Sequence, residues 1–227
     1  MAQYSNESRE WPPWRNTGLS LRQYDELALV GIFVARTVWA SPALGLIVGG
    51  LFCWAPAVRT YGWQEVLQLW PQSLKRRILL PIHILGGAIL LLLTCAFINW
   101  LITIIFYHGA DAAAMPQDPN FGVMSQASQW ELIMIGVSGV FTTPLYEELT
   151  FRLCLVRLIE RHLPFAGAAF ASALIFAVLH RPVAYVPAMF YFGAIQCMIQ
   201  RRYGTVACIA THALYNLAVF ITFAHYA

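Results

Sequence analysis

Long apolar stretches separated by short polar breaks make up most of this chain. The first runs from residue 27 to about residue 58, and the second covers residues 78–107, before a polar loop at residues 108–128. A membrane-spanning helix needs about 20 apolar residues, so stretches of this length predict transmembrane helices. They are too long and too continuous to be the strands of a barrel. We therefore predict an all-α fold, a polytopic transmembrane bundle of about six to eight helices.

The remaining apolar stretches lie close together after the polar loop. Trp130 marks a membrane interface, and Pro144 is expected to interrupt the helix that follows before it resumes as far as Arg161. Three further helices are predicted at residues 164–179, 184–199 and 205–223. We divide the chain into a polar N-terminal tail (1–25), N-terminal transmembrane segments with their loop (26–129) and a helical core (130–227).

Composition and charge indicate a membrane protein and argue against binding to nucleic acid. The chain is 59% hydrophobic and 11% charged, whereas about 25% of the residues in soluble domains are charged. Its net charge of +3 is too small and too scattered for a nucleic-acid surface. Basic residues cluster at predicted helix ends, which places those ends in the cytoplasm and the loop 108–128 outside. We expect a multi-pass protein of the bacterial inner (plasma) membrane.

The cysteines show no spacing typical of a metal site or a redox motif. All of them (Cys53, Cys95, Cys154, Cys197 and Cys208) lie in apolar stretches, and none shows C-x-x-C spacing. We predict that they are buried free thiols.

A small set of polar residues inside the apolar stretches carries the candidate chemistry. Charged groups cost several kcal/mol at the depth of a bilayer, so they indicate a bundle interior with a function. Glu147 and Glu148 are adjacent, and Arg152 follows the second by one helical turn. Two later stretches each carry one histidine motif, Phe176-x-x-x-His180 and His212-x-x-x-Asn216.

These residue types suit the hydrolysis of an acyl group. Glu148 and Arg152 are four residues apart, so on a helix they share a face and form an ion pair. Glu147 points about 100° away and is free to face a cavity as a general base. His180 on another helix is expected to share a water molecule with it. His212 and Asn216 share a face, where their N–H groups can stabilise a developing oxyanion. Phe176 is expected to pack and to shape the cavity wall.

Taken in order, the motifs E-E-x-x-x-R, F-x-x-x-H and H-x-x-x-N resemble those of the CPBP family of CAAX-type and bacteriocin-processing intramembrane proteases. The resemblance covers about residues 130–225. It implies an endopeptidase of the glutamic type, in which Glu147 and His180 activate water and His212 and Asn216 form the oxyanion hole. It also implies a membrane-associated protein or peptide substrate, cleaved near its C-terminus or in its leader.

Three alternatives stay open at this point. Glu147, His180 and His212 are also a possible ligand set for Zn²⁺, although no H-E-x-x-H motif is present, and we expect no metal or other cofactor. A non-enzymatic immunity or scaffold protein of the membrane, or a proton-coupled transporter, would use the same residues differently. The charge pattern places Glu147 near the bilayer midplane and predicts a cavity that opens toward the outer face.

Overall fold

The computed structural model describes residues 74–107, 119–180 and 183–226, and within these ranges it contains helices and no strands. The predicted all-α class is therefore confirmed for this part of the chain. The predictions made for the N-terminal tail, for the first apolar stretch and for Cys53 lie outside the described residues, and so does the side chain of Cys154. Cys95, Cys197 and Cys208 are buried free thiols, as predicted.

Helix α1, Leu74–Tyr107, is the long helix that the second apolar stretch predicts. Its 34 residues span about 51 Å at 1.5 Å per residue, more than the hydrocarbon core of about 30 Å. Ile82, Leu93 and Phe106 are each at least 65% exposed, as expected of apolar side chains that face lipid. A short helix α2, Pro119–Met124, lies within the stretch predicted as loop, so that prediction is wrong over these residues.

The next helical elements follow one another without a break. Ser128 caps the first of them, and Glu131 completes the capping box by accepting the backbone N–H of Ser128. The elements are α3 (Gln129–Val137), a π-helical segment (Ser138–Thr142), α4 (Thr143–Glu147), a second π-helical segment (Glu148–Leu155) and α5 (Val156–Glu160). The predicted interruption at Pro144 is wrong. Proline is tolerated in the first turn of a helix, and the wider π turn before α4 removes the clash that a regular helix would impose.

The remaining helices form a tight hairpin and a final span. They are α6 (Phe165–Leu179), a short 3₁₀ turn (Val183–Tyr185), α7 (Val186–Tyr203) and α8 (Thr205–Tyr226). Gly193 of α7 lies against Ala173 of α6, where an added Cβ would come within 3.1 Å of the Ala173 Cα. Small residues of this kind let two helices approach closely inside a membrane. Gly204 has φ 95°, which allows the abrupt turn from α7 into α8.

Three of the described helices are long and apolar enough to cross a membrane, namely those covering Leu79–Tyr107, Val183–Tyr203 and Thr205–His225. The core between the helices is built from Leu91, Phe151, Phe176, Ala188 and Phe192.

The basic ends of α5 and α7 lie side by side. The Arg201 guanidinium donates to the Glu160 carboxylate at 2.6 Å and covers the Phe165 ring at 4.0 Å. His83 near the start of α1 lies against Tyr203 at the end of α7. One end of the bundle therefore collects these helix ends, and the assignment of that end to the cytoplasm stays a prediction.

Candidate active site

Three side chains from separate elements meet inside the bundle. Glu147 ends α4, His180 follows the last residue of α6, and His212 lies in the second turn of α8. The Glu147 Oε1 atom is 3.9 Å from His180 Nε2, and its Oε2 atom is 3.8 Å from His212 Nε2. Glu147 is 7% exposed, so it faces the interior of the bundle and not the lipid.

Glu147 lies near two imidazoles at distances that a water molecule beside them can bridge. Separations of 3.8 and 3.9 Å are too long for hydrogen bonds between the side chains. One water molecule can contact both the carboxylate and an imidazole across such a gap. The Glu147 Oε2 atom is buried and has no hydrogen-bond partner among the described residues, whereas Oε1 accepts the Tyr146 hydroxyl at 3.4 Å. Because a buried polar atom needs a partner, Oε2 indicates a place for water or substrate.

The rest of the structure fixes how both imidazoles are oriented. The Phe176 carbonyl lies 2.7 Å from His180 Nδ1, and since a carbonyl only accepts, Nδ1 carries the hydrogen. The Nε2 atom then faces Glu147 with its lone pair when the ring is neutral. His212 Nδ1 lies 2.6 Å from Glu148 Oε1 and is held in the same way. Phe176 and Phe192 pack against the two rings at 4.2 and 4.7 Å between centroids.

Glu148 is the centre of a buried polar network next to Glu147. The Arg152 Nε atom lies 3.2 Å from its Oε2 atom, which is the ion pair that the sequence predicts. The Cys208 thiol donates to the same oxygen at 2.9 Å, while His212 occupies the other oxygen. Glu148 and Arg152 are fully buried, so donors replace water around this carboxylate. The network links the second π segment to α8.

Phe176 packs against both the buried ion pair and His180. The Arg152 guanidinium lies over its ring at 4.2 Å from the centroid, a cation–π contact away from water. The same ring packs on His180, and only 1% of the residue is exposed. This placement agrees with the packing role predicted for Phe176.

Asn216 lies one turn beyond His212 on α8 and is half-buried. Its Nδ2 atom donates to the Gly139 carbonyl in the first π segment at 2.8 Å. An amide nitrogen has two hydrogens, so one N–H remains for another acceptor.

Sequence reasoning missed several residues of this site. Tyr146 contacts Glu147, Phe192 packs on His212, and Gln196 donates from Nε2 to the Cys208 carbonyl at 3.3 Å. Cys208 precedes His212 by four residues, so helical spacing already placed both on one face. Gln196 is a fully buried amide in an apolar helix, a pattern that points to a polar partner.

The possible zinc ligands do not fit a metal as they are placed. Two ligand atoms on a tetrahedral zinc ion lie about 3.3 Å apart, less than the 3.8 and 3.9 Å that separate Glu147 from the imidazoles. Among the residues that the structure describes, no group of three or more His, Cys, Asp or Glu side chains is arranged to hold a metal ion. We therefore derive no step through a metal.

Part of the chain resembles a known protein family. Residues 129–218 match a family model described as type II CAAX prenyl endopeptidase Rce1-like. These residues are therefore similar to the Rce1-like family. The predicted resemblance to the CAAX-type proteases is thereby confirmed, and the Rce1-like segment contains the predicted site residues from Glu147 to Asn216. No curated protein and no solved structure matches the chain significantly. Three helices in the described part of the chain are long and apolar enough to cross a bilayer, and the protein is an integral membrane protein.

Proposed function

We propose that the protein is an intramembrane endopeptidase of the glutamic type. It hydrolyses a peptide bond near the C-terminus or in the leader of a membrane-associated protein, without a metal cofactor. The observation that carries the proposal is the inward-facing Glu147 carboxylate with His180 Nε2 at 3.9 Å, one water molecule away. The Rce1-like segment supports the same reaction class.

The first step is the activation of water between Glu147 and His180. One hydrogen of the water bonds to the Glu147 carboxylate, and the other is accepted by the His180 Nε2 lone pair, which the Phe176 carbonyl aims at the gap. The oxygen lone pair is left free to attack the scissile carbonyl carbon. As the new C–O bond forms, Glu147 takes the proton and the carbonyl π electrons move to the oxygen.

The second group of residues stabilises that oxygen. His212 Nδ1 is bound to Glu148, so His212 donates from Nε2 only when it is the doubly protonated imidazolium. The Glu148 carboxylate is placed to balance that charge, as the carboxylate of a catalytic triad does. The remaining N–H of Asn216 is the second donor. Finally Glu147 returns its proton to the amide nitrogen, the C–N bond breaks, and a carboxylic acid and an amine leave.

The position of the site along the helices supports a substrate approaching from the face opposite the arginines. At 1.5 Å per residue, Glu147 is about 20 Å from the end of α5, and His180 is about 22 Å from the start of α6. In a hydrocarbon core of about 30 Å, that leaves about 10 Å to the opposite face. The positive-inside rule makes this the outer face. We propose that the substrate is a tail or leader segment of an exported protein.

A cleavage assay on the purified protein in lipid nanodiscs tests this function. The probes are quenched fluorescent peptides in three forms: a prenylated C-a-a-X peptide, the same peptide without the prenyl group, and an apolar tail followed by basic residues. We expect at least one probe to be cut, and His180→Ala to lower its kcat by about a hundredfold or more, because the water loses one of its two anchors.

The assay also tests the cofactor and the non-enzymatic alternative. Activity that is kept after exhaustive chelation, with no stoichiometric zinc by elemental analysis, supports the metal-free reaction; loss on chelation with recovery on adding Zn²⁺ would overturn it. To find natural substrates, new protein N-termini in cell membranes are compared by mass spectrometry between the wild type and His180→Ala. If no probe is cut and no N-terminus depends on His180, the protein is not a protease.

A further inference from the structure

The first π-helical segment leaves one backbone carbonyl without its usual donor. In this segment the Thr143 N–H bonds to the Ser138 carbonyl, five residues earlier. In the same register the next nitrogen is that of Pro144, opposite the Gly139 carbonyl, and proline has no N–H. Inside a membrane no bulk water can replace the missing donor. The Gly139 carbonyl therefore needs a partner from outside its own helix.

That partner is the Asn216 side chain. Its Nδ2 atom donates to the Gly139 carbonyl at 2.8 Å, across 77 residues of sequence. The second π segment also has a backbone carbonyl bound by a side chain. The buried Ser172 hydroxyl of α6 donates to the Phe151 carbonyl at 2.7 Å. Each of these widened segments thus has a carbonyl bound by a polar side chain of a neighbouring helix.

We propose that Asn216 is a positioning residue that replaces the backbone donor Pro144 lacks, and that this bond sets α4 and Glu147 against α8 and His212. Glu147 lies one turn after Pro144, and His212 lies one turn before Asn216. The bond therefore joins the two helices directly beside the reacting groups. The proposal rests on the proposed function only for its consequence in catalysis; the bond itself is tested without any cleavage.

A double-mutant cycle on protein stability is the main test. We expect Asn216→Ala to raise the unfolding equilibrium constant about tenfold, because the Gly139 carbonyl loses its side-chain donor. In the Pro144→Ala background the new backbone N–H can donate to Gly139, so the same substitution should raise it about threefold or less. Pro187→Ala is the matched control, because Pro187 lies in the first turn of α7. In the Pro187→Ala background, Asn216→Ala should again raise the unfolding equilibrium constant about tenfold. Equal losses in the wild-type and Pro144→Ala backgrounds would overturn the proposal.

A second measurement uses the wild-type protein, so it does not depend on whether a variant folds. In wild-type protein in lipid, with ¹⁵N in asparagine side chains and ¹³C in glycine carbonyls, solid-state NMR detects amide nitrogens close to glycine carbonyls. We expect a contact between Asn216 Nδ2 and the Gly139 carbonyl, and its absence would contradict the proposal.

If a cleavable probe is available, the same variants separate positioning from oxyanion binding. A positioning role predicts that Pro144→Ala restores part of the kcat lost with Asn216→Ala. No recovery of kcat, together with additive losses of stability, would show that Asn216 does not act through Gly139. If cleavage itself cannot be detected while the stability cycle and the NMR contact behave as expected, the bond stands and the proposed function fails.

Discussion

Glu147→Gln should lower kcat by about a thousandfold or more while leaving the protein folded. A carboxamide has nearly the same shape as a carboxylate but cannot take a proton from water, and general bases contribute about 10²–10⁴-fold. Stability should change little, because the Glu147 Oε2 atom has no hydrogen-bond partner in the part of the chain that the structure describes. The measurement is the peptide cleavage assay, made at equal amounts of folded protein.

Glu131→Gln is the matched control for this prediction. Glu131 is an exposed glutamate in the first turn of α3, where it closes a capping box with Ser128, and glutamine also supports that motif. The control should therefore keep full activity and stability. Wild-type rates in Glu147→Gln would remove Glu147 from the reaction.

Arg152→Ala should give the largest loss of stability among single substitutions at the site. It leaves the Glu148 carboxylate fully buried without its cation, and breaking a buried ion pair from one side costs about 3–5 kcal/mol. It also removes the guanidinium from the face of Phe176, at 4.2 Å from the ring centroid. We expect a strongly lowered unfolding midpoint in detergent titrations. We also expect loss of cleavage, because Glu148, which holds His212 Nδ1, is no longer fixed by Arg152.

Two comparisons isolate the cause of that loss. Arg201→Ala removes an exposed arginine, 47% of whose side chain is accessible, from its pair with Glu160; such pairs contribute about 0–1 kcal/mol. The double substitution Arg152→Ala with Glu148→Ala removes both buried charges and should recover part of the stability. If Arg152→Ala costs no more than Arg201→Ala, the buried network does not hold the fold.

The helices and the meeting of polar groups were predictable because each has a local cause. Apolar stretches long enough to span lipid can satisfy their backbone only as helices, and α6 ends at Leu179 as its pattern indicated. The pairing of Glu148 with Arg152 follows from their spacing. Charged residues inside apolar helices have few stable orientations other than toward one another, which is why Glu147, His180 and His212 were grouped correctly in space.

The details that escaped prediction depend on contacts between distant residues. The helix continues through Pro144, which follows a widened turn. The Gly139 carbonyl in that turn is bound by Asn216, which is far along the chain, so the residues near Pro144 alone did not show that the helix continues. The role of Glu148 was predicted only in part. Its second function, holding His212 Nδ1 at 2.6 Å, requires the packing of α8 against the second π segment. Cys208 looked like one more apolar thiol until that packing brought it to the carboxylate.

The central claim is that Glu147 and His180 hold one water molecule inside the bundle. A crystal structure of the wild-type protein grown from a lipid mesophase, at a resolution that shows ordered water, tests it most directly. We predict a water within hydrogen-bond distance of both the Glu147 carboxylate and His180 Nε2. A Glu147 side chain turned toward the acyl chains, an imidazole beyond the reach of one water, or a metal ion in that place would contradict the account.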